Sequence, residues 1–291
     1  MAKAARNTPV ASMTNERARV GRLLASPHDD SVWGGETTGL RDYVPGDDYR
    51  YVDWNLCARR GELRTKTFVS GGPRPRYFLL DCSMSMGVGH PTKFDAARRL
   101  AAVLGCAALA AGTSVGITAF SGRVLAELPR LCGRNQRLRL LRFLDALALD
   151  ASPTDLDRAA AVLAGRHQQP GPVAVISDLL NLPDFRKPLE RLRQHGYPPR
   201  IVQVVAPEEA DPPLLGDVEL RDVESPRVQR VTLSPHIVAR YRELFAQFLA
   251  SVRRYAARHG LECVQVDSDQ SLEAIYAQVL ALPRKGKVPS R

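Results

Sequence analysis

The sequence predicts an α/β fold, a doubly wound (Rossmann-like), mostly parallel sheet with helices on both faces. From Arg76 onward, short apolar runs alternate with segments of helical periodicity, the pattern of repeated strand-helix units. Residues 173–177 and 200–205 are nearly continuous apolar, β-branched runs, as expected of parallel strands covered on both faces. Ligands of such sheets bind beyond the carboxyl ends of the strands, so functional side chains are expected in the loops there.

The predicted elements follow in regular order. Strand 77–80 leads to a helix at 93–111 and to strand 114–120, which an antiparallel strand at 123–128 follows. The remaining elements are helices at 136–147 and from 154, strand 173–177, a helix at 188–195, strand 200–205, strand 261–266 and a helix at 271–282. Alternating residues on both sides of Glu224-Ser225-Pro226 predict a β-hairpin inserted at 207–233, before a long helix at 235–259.

Composition limits the class of protein. The chain has 291 residues, 44% of them hydrophobic, enough for one large core. No apolar run approaches the roughly 18 to 20 residues of a transmembrane helix, and the N-terminus lacks the pattern of a secretory signal. The cysteines are odd in number, scattered and never in a C-x-x-C pair, which argues against a disulfide framework and against a zinc site. A cytoplasmic protein without a transmembrane segment is expected.

The chain is basic, and its formal charge of +10 is compatible with nucleic acid, anionic lipid or an acidic protein as partner. Arginines such as Arg134, Arg137, Arg139 and Arg142 occur without the interleaved aromatic residues that stack on bases. The solvated face of an amphipathic helix is therefore favoured over a specific nucleic-acid site.

Three regions are predicted around the core domain. Residues 1–14 and 283–291 are polar and basic, as is typical of disordered tails. Residues 15–71 form an N-terminal extension rich in Pro, Gly, Asp, Arg and aromatic residues, and residues 72–282 form the α/β domain. Within the extension, if the Trp54 ring is a buried anchor, its replacement by alanine should cost about 3 to 5 kcal/mol.

Oxygen-bearing side chains follow three predicted strands or loops. Asp81, Ser83 and Ser85 stand at alternate positions after the first core strand, and Thr154 and Asp178 occupy loops at the same predicted edge. Carboxylate and hydroxyl oxygens suit a small, hard cation such as Mg²⁺ or Mn²⁺, which requires about six oxygen ligands and usually keeps waters. The five side chains are therefore predicted to form a metal site at solvent-facing strand ends. Thr154 is also a candidate N-cap of the helix that follows it.

The order D-x-S-x-S, then Thr, then Asp resembles the metal-ion-dependent adhesion site (MIDAS) of von Willebrand factor A domains. That resemblance implies that Ser83, Ser85 and Thr154 bind the ion directly or nearly so. It implies that Asp81 and Asp178 act directly or through waters, and that a partner's carboxylate takes the remaining coordination position.

Upstream, residues 41–54 (RDYVPGDDYRYVDW), Ala58-Arg59 and residues 63–66 resemble the hallmark of the bacterial domain-of-unknown-function 58 (DUF58) family, in which it precedes an A-type domain. The membrane helices that some members carry are not found in this sequence. The charged residues of this segment either form an ion network that docks the extension or recognise a partner. They are Arg41, Asp47, Asp48, Arg50, Asp53 and Arg59.

The favoured function is a metal-dependent, protein-binding adaptor without enzyme activity. The family resemblance implies a MoxR-type AAA+ ATPase as partner, in chaperone-like assembly or maturation; the chain itself has no phosphate-binding G-x-x-x-x-G-K-[ST] loop. The alternatives are a basic nucleic-acid-binding protein and a Mg²⁺-dependent phosphoryl-transfer enzyme with Asp81 as nucleophile. Against the enzyme, Ser83 stands where a second acidic group would serve, and no Lys or Arg lies in the motif loops.

Overall fold

A computed structural model describes residues 37–43, 52, 54–68, 74–166, 169–180, 184–212, 215–221 and 228–280. Its strands are β1 (Thr37–Asp42), β2 (Arg64–Phe68), β3 (Arg76–Asp81), β4 (Val115–Phe120), β5 (Val124–Leu131), β6 (Val173–Ser177), β7 (Pro199–Val205), β8 (Gly216–Arg221), β9 (Val228–Leu233) and β10 (Glu262–Asp267). Its α-helices are α1 (Trp54–Arg60), α2 (Lys93–Ala110), α3 (Arg137–Asp145), α4 (Leu156–Ala164), α5 (Arg186–Gln194), α6 (Pro207–Ala210), α7 (Pro235–His259) and α8 (Leu272–Leu280). Short 3₁₀ helices cover Met84–Gly87 and Arg134–Gln136.

The central sheet has six strands in the order β10-β7-β6-β3-β4-β5. Neighbouring strands are parallel except for β5, which runs antiparallel to β4 at one edge. After β3, the chain adds β4 and β5 on one side of β3 and then β6, β7 and β10 on the opposite side. The strand order therefore reverses between β3 and β6. Crevices at such reversal points are the usual ligand sites of open α/β sheets. The mixed α/β fold with a mostly parallel sheet is confirmed.

Helices cover both faces of this sheet, because its central strands are apolar on both sides. Every residue of β3, β4 and β6 is buried. On one face, Phe78 and Leu80 belong to a core cluster with residues of α2, α3 and α8; on the other, Tyr77 and Leu79 pack with residues of α4, α5 and α7. Alternate side chains of β3 thus pack into two core layers, one on each face of the sheet.

Outside the central sheet, two antiparallel pairs form. β8 and β9 are the predicted hairpin, and β1 pairs with β2 within the N-terminal extension. Trp54 begins α1 and is 58% exposed, so its ring is not a buried anchor. Among the residues described, no helix is long and apolar enough to cross a membrane.

Candidate metal site at the carboxyl edge of the sheet

Asp81 is the last residue of β3, and its side chain is fixed from two loops. The carboxylate is 1% exposed. Its Oδ1 accepts a hydrogen bond from the backbone N–H of Ser83 (2.9 Å), and its Oδ2 accepts one from the Ser177 hydroxyl (2.6 Å). The sequence prediction of a solvent-facing Asp81 is therefore wrong: its neighbours bury it at the junction of β3 and β6.

Ser83 and Ser85 lie in the turn after β3, where the 3₁₀ helix Met84–Gly87 begins. Both side chains are buried, and their hydroxyl oxygens are 3.0 Å apart. Two adjacent ligands of an octahedral Mg²⁺ at about 2.1 Å are separated by about 3.0 Å, so this pair has the spacing that such an ion requires.

Asp178 follows β6 and is also buried. Its Oδ1 accepts from the N–H of Leu180 (3.1 Å), while the N–H of Leu179 donates to the Ser177 hydroxyl (3.0 Å). Leu179 has a φ of 60°, a left-handed conformation uncommon outside glycine. This turn directs the Asp178 carboxylate and the Ser177 hydroxyl toward the end of β3.

The electrostatics of this group favour a cation. Burial, and then the negative charge of Asp178, raise the pKa of Asp81 from its ordinary 3.8 to about 7, against the lowering effect of hydrogen bonds from Ser177 and Ser83. Two buried carboxylates beside two buried hydroxyls form a hard-oxygen donor set. Carboxylate and hydroxyl oxygens are the ligands that magnesium takes in proteins, so the residues present suit a magnesium ion.

The structure adds a residue that sequence reasoning missed. Lys93, the first residue of α2, is fully buried, and its Nζ donates to Asp178 Oδ2 (2.6 Å) and to Glu209 Oε1 (2.6 Å). No Lys or Arg lies in the motif loops themselves, but Lys93 reaches Asp178 from the start of α2. A sequence signal existed: a lysine in the first turn of a helix opposes the helix dipole and calls for a compensating partner.

Thr154 lies on a loop that packs beside the first motif loop. The N–H of Asp150 donates to the Cys82 carbonyl (2.8 Å), and the Ser121 hydroxyl donates to the Ser152 carbonyl (2.7 Å). A Cβ on Gly122 would lie 2.7 Å from the Pro153 carbonyl oxygen, so only glycine allows this approach.

The rim position of Thr154 contrasts with the other four candidates. Its side chain is half-buried and lines an open groove together with Gly122 and Arg158. The N-cap of α4 is Asp155, whose carboxylate accepts from the Arg158 N–H (2.9 Å), and not Thr154. Asp81, Ser83, Ser85 and Asp178 thus form one buried group, and Thr154 lies on the neighbouring loop.

The charged residues of the extension are only partly placed. Asp47, Asp48, Arg50 and Asp53 lie outside the described residues, whereas Arg41 lies in β1 and Arg59 in α1. Whether the six residues form a network therefore stays a prediction.

Comparison with known proteins identifies the family. A sequence model described as "Protein of unknown function DUF58" matches residues 39–264. The chain belongs to the DUF58 family. Proteins similar to it include "Uncharacterized protein Rv1480" from Mycobacterium tuberculosis and "Uncharacterized protein Mb1516" from Mycobacterium bovis. Each is 25% identical over 257 residues, which are 87% of this chain and 81% of the relative.

Two solved structures are similar to this DUF58 chain with lower sequence identity. The conserved hypothetical protein BatB from Bacteroides thetaiotaomicron has a TM-score of 0.47 and 20% identity, over 71% of this chain and 95% of BatB. An aerotolerance-related membrane protein from Bacteroides fragilis has a TM-score of 0.43 and 18% identity, over 71% of this chain and 98% of that protein.

Proposed function

We propose that this DUF58 protein carries a von Willebrand factor A-type domain with a metal-ion-dependent adhesion site, and that it acts as a Mg²⁺-dependent protein-binding adaptor. The observation that carries the proposal is that the oxygen-bearing residues after β3 and β6 lie where the strand order reverses: the Ser83–Ser85 hydroxyl pair follows Asp81, and Asp178 follows Ser177, which is hydrogen-bonded to Asp81. Residues from separate loops meet there, as metal binding requires.

The hydrogen bonds suggest which candidate ligands act through ordered waters and which bind the ion directly. Each carboxylate oxygen of Asp81 and Asp178 already accepts a hydrogen bond from the protein, so these residues would act mainly through ordered waters. Ser83, Ser85 and Thr154 would then bind the ion directly. A magnesium ion held largely by neutral hydroxyls remains electrophilic and can bind a carboxylate from outside.

The partner is therefore proposed to present an Asp or Glu side chain to the ion. The resemblance of this chain to its family implies a MoxR-type AAA+ ATPase, which is the proposed partner in chaperone-like assembly or maturation of other proteins in the cytoplasm. This chain would provide binding, and the ATPase would provide the work of nucleotide hydrolysis.

A phosphoryl-transfer enzyme is the second candidate, and Lys93 is the observation that favours it, because such enzymes use cations to neutralise transferring charge. However, the Lys93 side chain is fully buried and its ammonium is engaged by two carboxylates. Its charge is directed at Asp178 and Glu209 and not at solvent, where a phosphate would bind. The adaptor function is better supported.

Calorimetric titration with Mg²⁺, followed by capture of partners from the native cell with and without chelator, tests the proposal. Wild type should bind one Mg²⁺ weakly, and an AAA+ ATPase should be recovered only with the ion present. Ser85→Ala should lose both, whereas Ser251→Ala, which removes a hydroxyl bonded to the Phe248 carbonyl in α7, should lose neither. No Mg²⁺ binding by wild type at millimolar concentration would contradict the metal site.

A partner identified in this way permits a charge-reversal test. Changing its ion-binding Asp or Glu to Lys should abolish the complex, because a cation would then face the ion at about 4 Å. The protein alone should hydrolyse no phosphate ester. Mg²⁺-dependent phosphatase turnover that disappears in Asp81→Asn would instead support the enzyme.

A further inference from the structure

A buried three-residue charge cluster adjoins the candidate metal site. Lys93 begins α2, Asp178 follows β6, and Glu209 lies in α6, so three separate elements meet at one ammonium group. The Lys93 side chain is 0% exposed, that of Asp178 is 4% exposed and that of Glu209 is 15% exposed. The second oxygen of Glu209 accepts from the Ala206 N–H (3.4 Å), which fixes this carboxylate as well.

The cluster is joined through the ammonium group of Lys93. Lys93 is hydrogen-bonded to Asp178 and to Glu209. Lys93 therefore opposes any cation bound beside Asp178, and the negative charge of Glu209, which contacts the same ammonium, partly cancels that opposition. In a buried setting such charges act at short range with little screening.

We propose that Lys93 is a resident counter-charge that sets the ion affinity of the site, and that Glu209 moderates it. The inference rests on the proposed metal-binding function. Its consequence is that the ion is held loosely by the protein alone and more firmly when a partner's carboxylate adds the missing negative charge. Metal binding and partner binding would then strengthen each other, as linkage requires.

Two isosteric substitutions should move the affinity in opposite directions. Lys93→Met removes the opposing charge at nearly constant volume and should tighten Mg²⁺ binding about tenfold or more. Glu209→Gln leaves Lys93 opposed only by Asp178 and should weaken Mg²⁺ binding several-fold. The double variant should lie between Lys93→Met and wild type, because Lys93 is hydrogen-bonded to the candidate ligand Asp178, whereas Glu209 is bonded to Lys93.

The two substitutions are expected to change Mg²⁺ affinity in opposite directions, which distinguishes an electrostatic role of Lys93 and Glu209 from a purely structural one. If Lys93 and Glu209 only held the loops together, both substitutions would loosen the same contacts and weaken binding together. The matched controls are Glu208→Gln, an exposed neighbour of Glu209 in α6, and Lys187→Met, whose Nζ lies 3.6 Å from Asp157 in a surface ion pair. Neither control should change Mg²⁺ affinity.

Calorimetric titration of the full chain with MgCl₂ tests the proposal, with circular dichroism to establish folding. The expected order of affinity is Lys93→Met, the double variant, wild type and Glu209→Gln. Lys93→Met could fail to fold because it leaves the Glu209 carboxylate without its cation. The double variant lacks that carboxylate and must in that case still bind Mg²⁺ more tightly than Glu209→Gln. Shifts in the same direction, or no shifts in folded variants, overturn the role of Lys93 and leave the metal site standing. Absence of binding by wild type and every variant overturns both.

Discussion

The candidate site has two halves that the molecule holds in different ways. The buried half, formed by Asp81, Ser83, Ser85 and Asp178, is enclosed by the core and fixed by side-chain hydrogen bonds. The rim half, the loop of residues 150–155 with Thr154, is held by backbone contacts to Cys82 and Ser121 and lines an open groove. Substitutions should therefore affect stability and ion binding together in the buried half, but ion binding alone at the rim.

The largest effect on stability is expected at Lys93, which supports the buried half. In metal-free protein, Lys93→Met leaves Asp178 and Glu209 buried without their cation and should lower the free energy of unfolding by about 3 to 5 kcal/mol. Urea unfolding measures this difference, and the surface variant Lys187→Met is the control. A loss below about 1 kcal/mol would show that the cluster is far better solvated than its burial indicates.

Ser177→Ala should have the next largest effect. Its hydroxyl donates to Asp81 and accepts from the Leu179 N–H, so its removal leaves two buried groups without a partner, at about 1 to 3 kcal/mol each. Weaker Mg²⁺ binding should accompany the loss, because Asp81 is no longer oriented. Ser251→Ala, which removes a hydroxyl bonded to the Phe248 carbonyl in α7, is the control. Unchanged unfolding in urea would remove Ser177 from the support of the site.

Asp81→Asn removes the negative charge of this side chain but nearly keeps its shape, so it tests how much ion binding in the buried half depends on that charge. The amide retains an acceptor for the Ser83 N–H and removes the repulsion with Asp178, but its NH2 group cannot accept the Ser177 hydroxyl proton, so the free energy of unfolding should fall by about 1 kcal/mol. Mg²⁺ binding, measured by calorimetry, should be lost. Retained binding at wild-type affinity would exclude Asp81 from the ion site.

The smallest stability effect is expected at the rim. Thr154→Ala should change the free energy of unfolding by no more than about 0.5 kcal/mol, as for most substitutions outside the core. It should nevertheless weaken Mg²⁺ binding, and Thr154→Ser should restore it because the hydroxyl returns. If Thr154→Ala binds Mg²⁺ like wild type, the ion is held by the buried half alone.

Local patterns were sufficient to predict strands of the central sheet and the separate β8–β9 hairpin. The β-branched run of β6 and the alternating residues of β8 and β9 are visible in the sequence because strand geometry imposes them on neighbouring residues. The pairing of β1 with β2 was not predicted, since Gly, Thr and charged residues give their strands little hydrophobic pattern.

Helix capping at α4 needed more than the residue types. Thr154 and Asp155 are adjacent and both are good N-caps, so composition left the choice open. The structure assigns the cap to Asp155 and leaves Thr154 beside the groove. Backbone contacts of the loop with Ser121 decide which of the two residues turns into the helix.

The sequence by itself determined the strand-helix alternation and the oxygen-bearing side chains after β3 and β6, because both depend on short-range periodicity and on the position of residues at strand ends. Only the tertiary structure decided that Asp81 is buried, that Ser177 bonds to it, and that Lys93 reaches Asp178 across 85 residues and Glu209 across 116. The physical reason is that a buried charge finds its partners through strand order and helix docking. Those arrangements join residues far apart in the chain and leave no repeating local pattern.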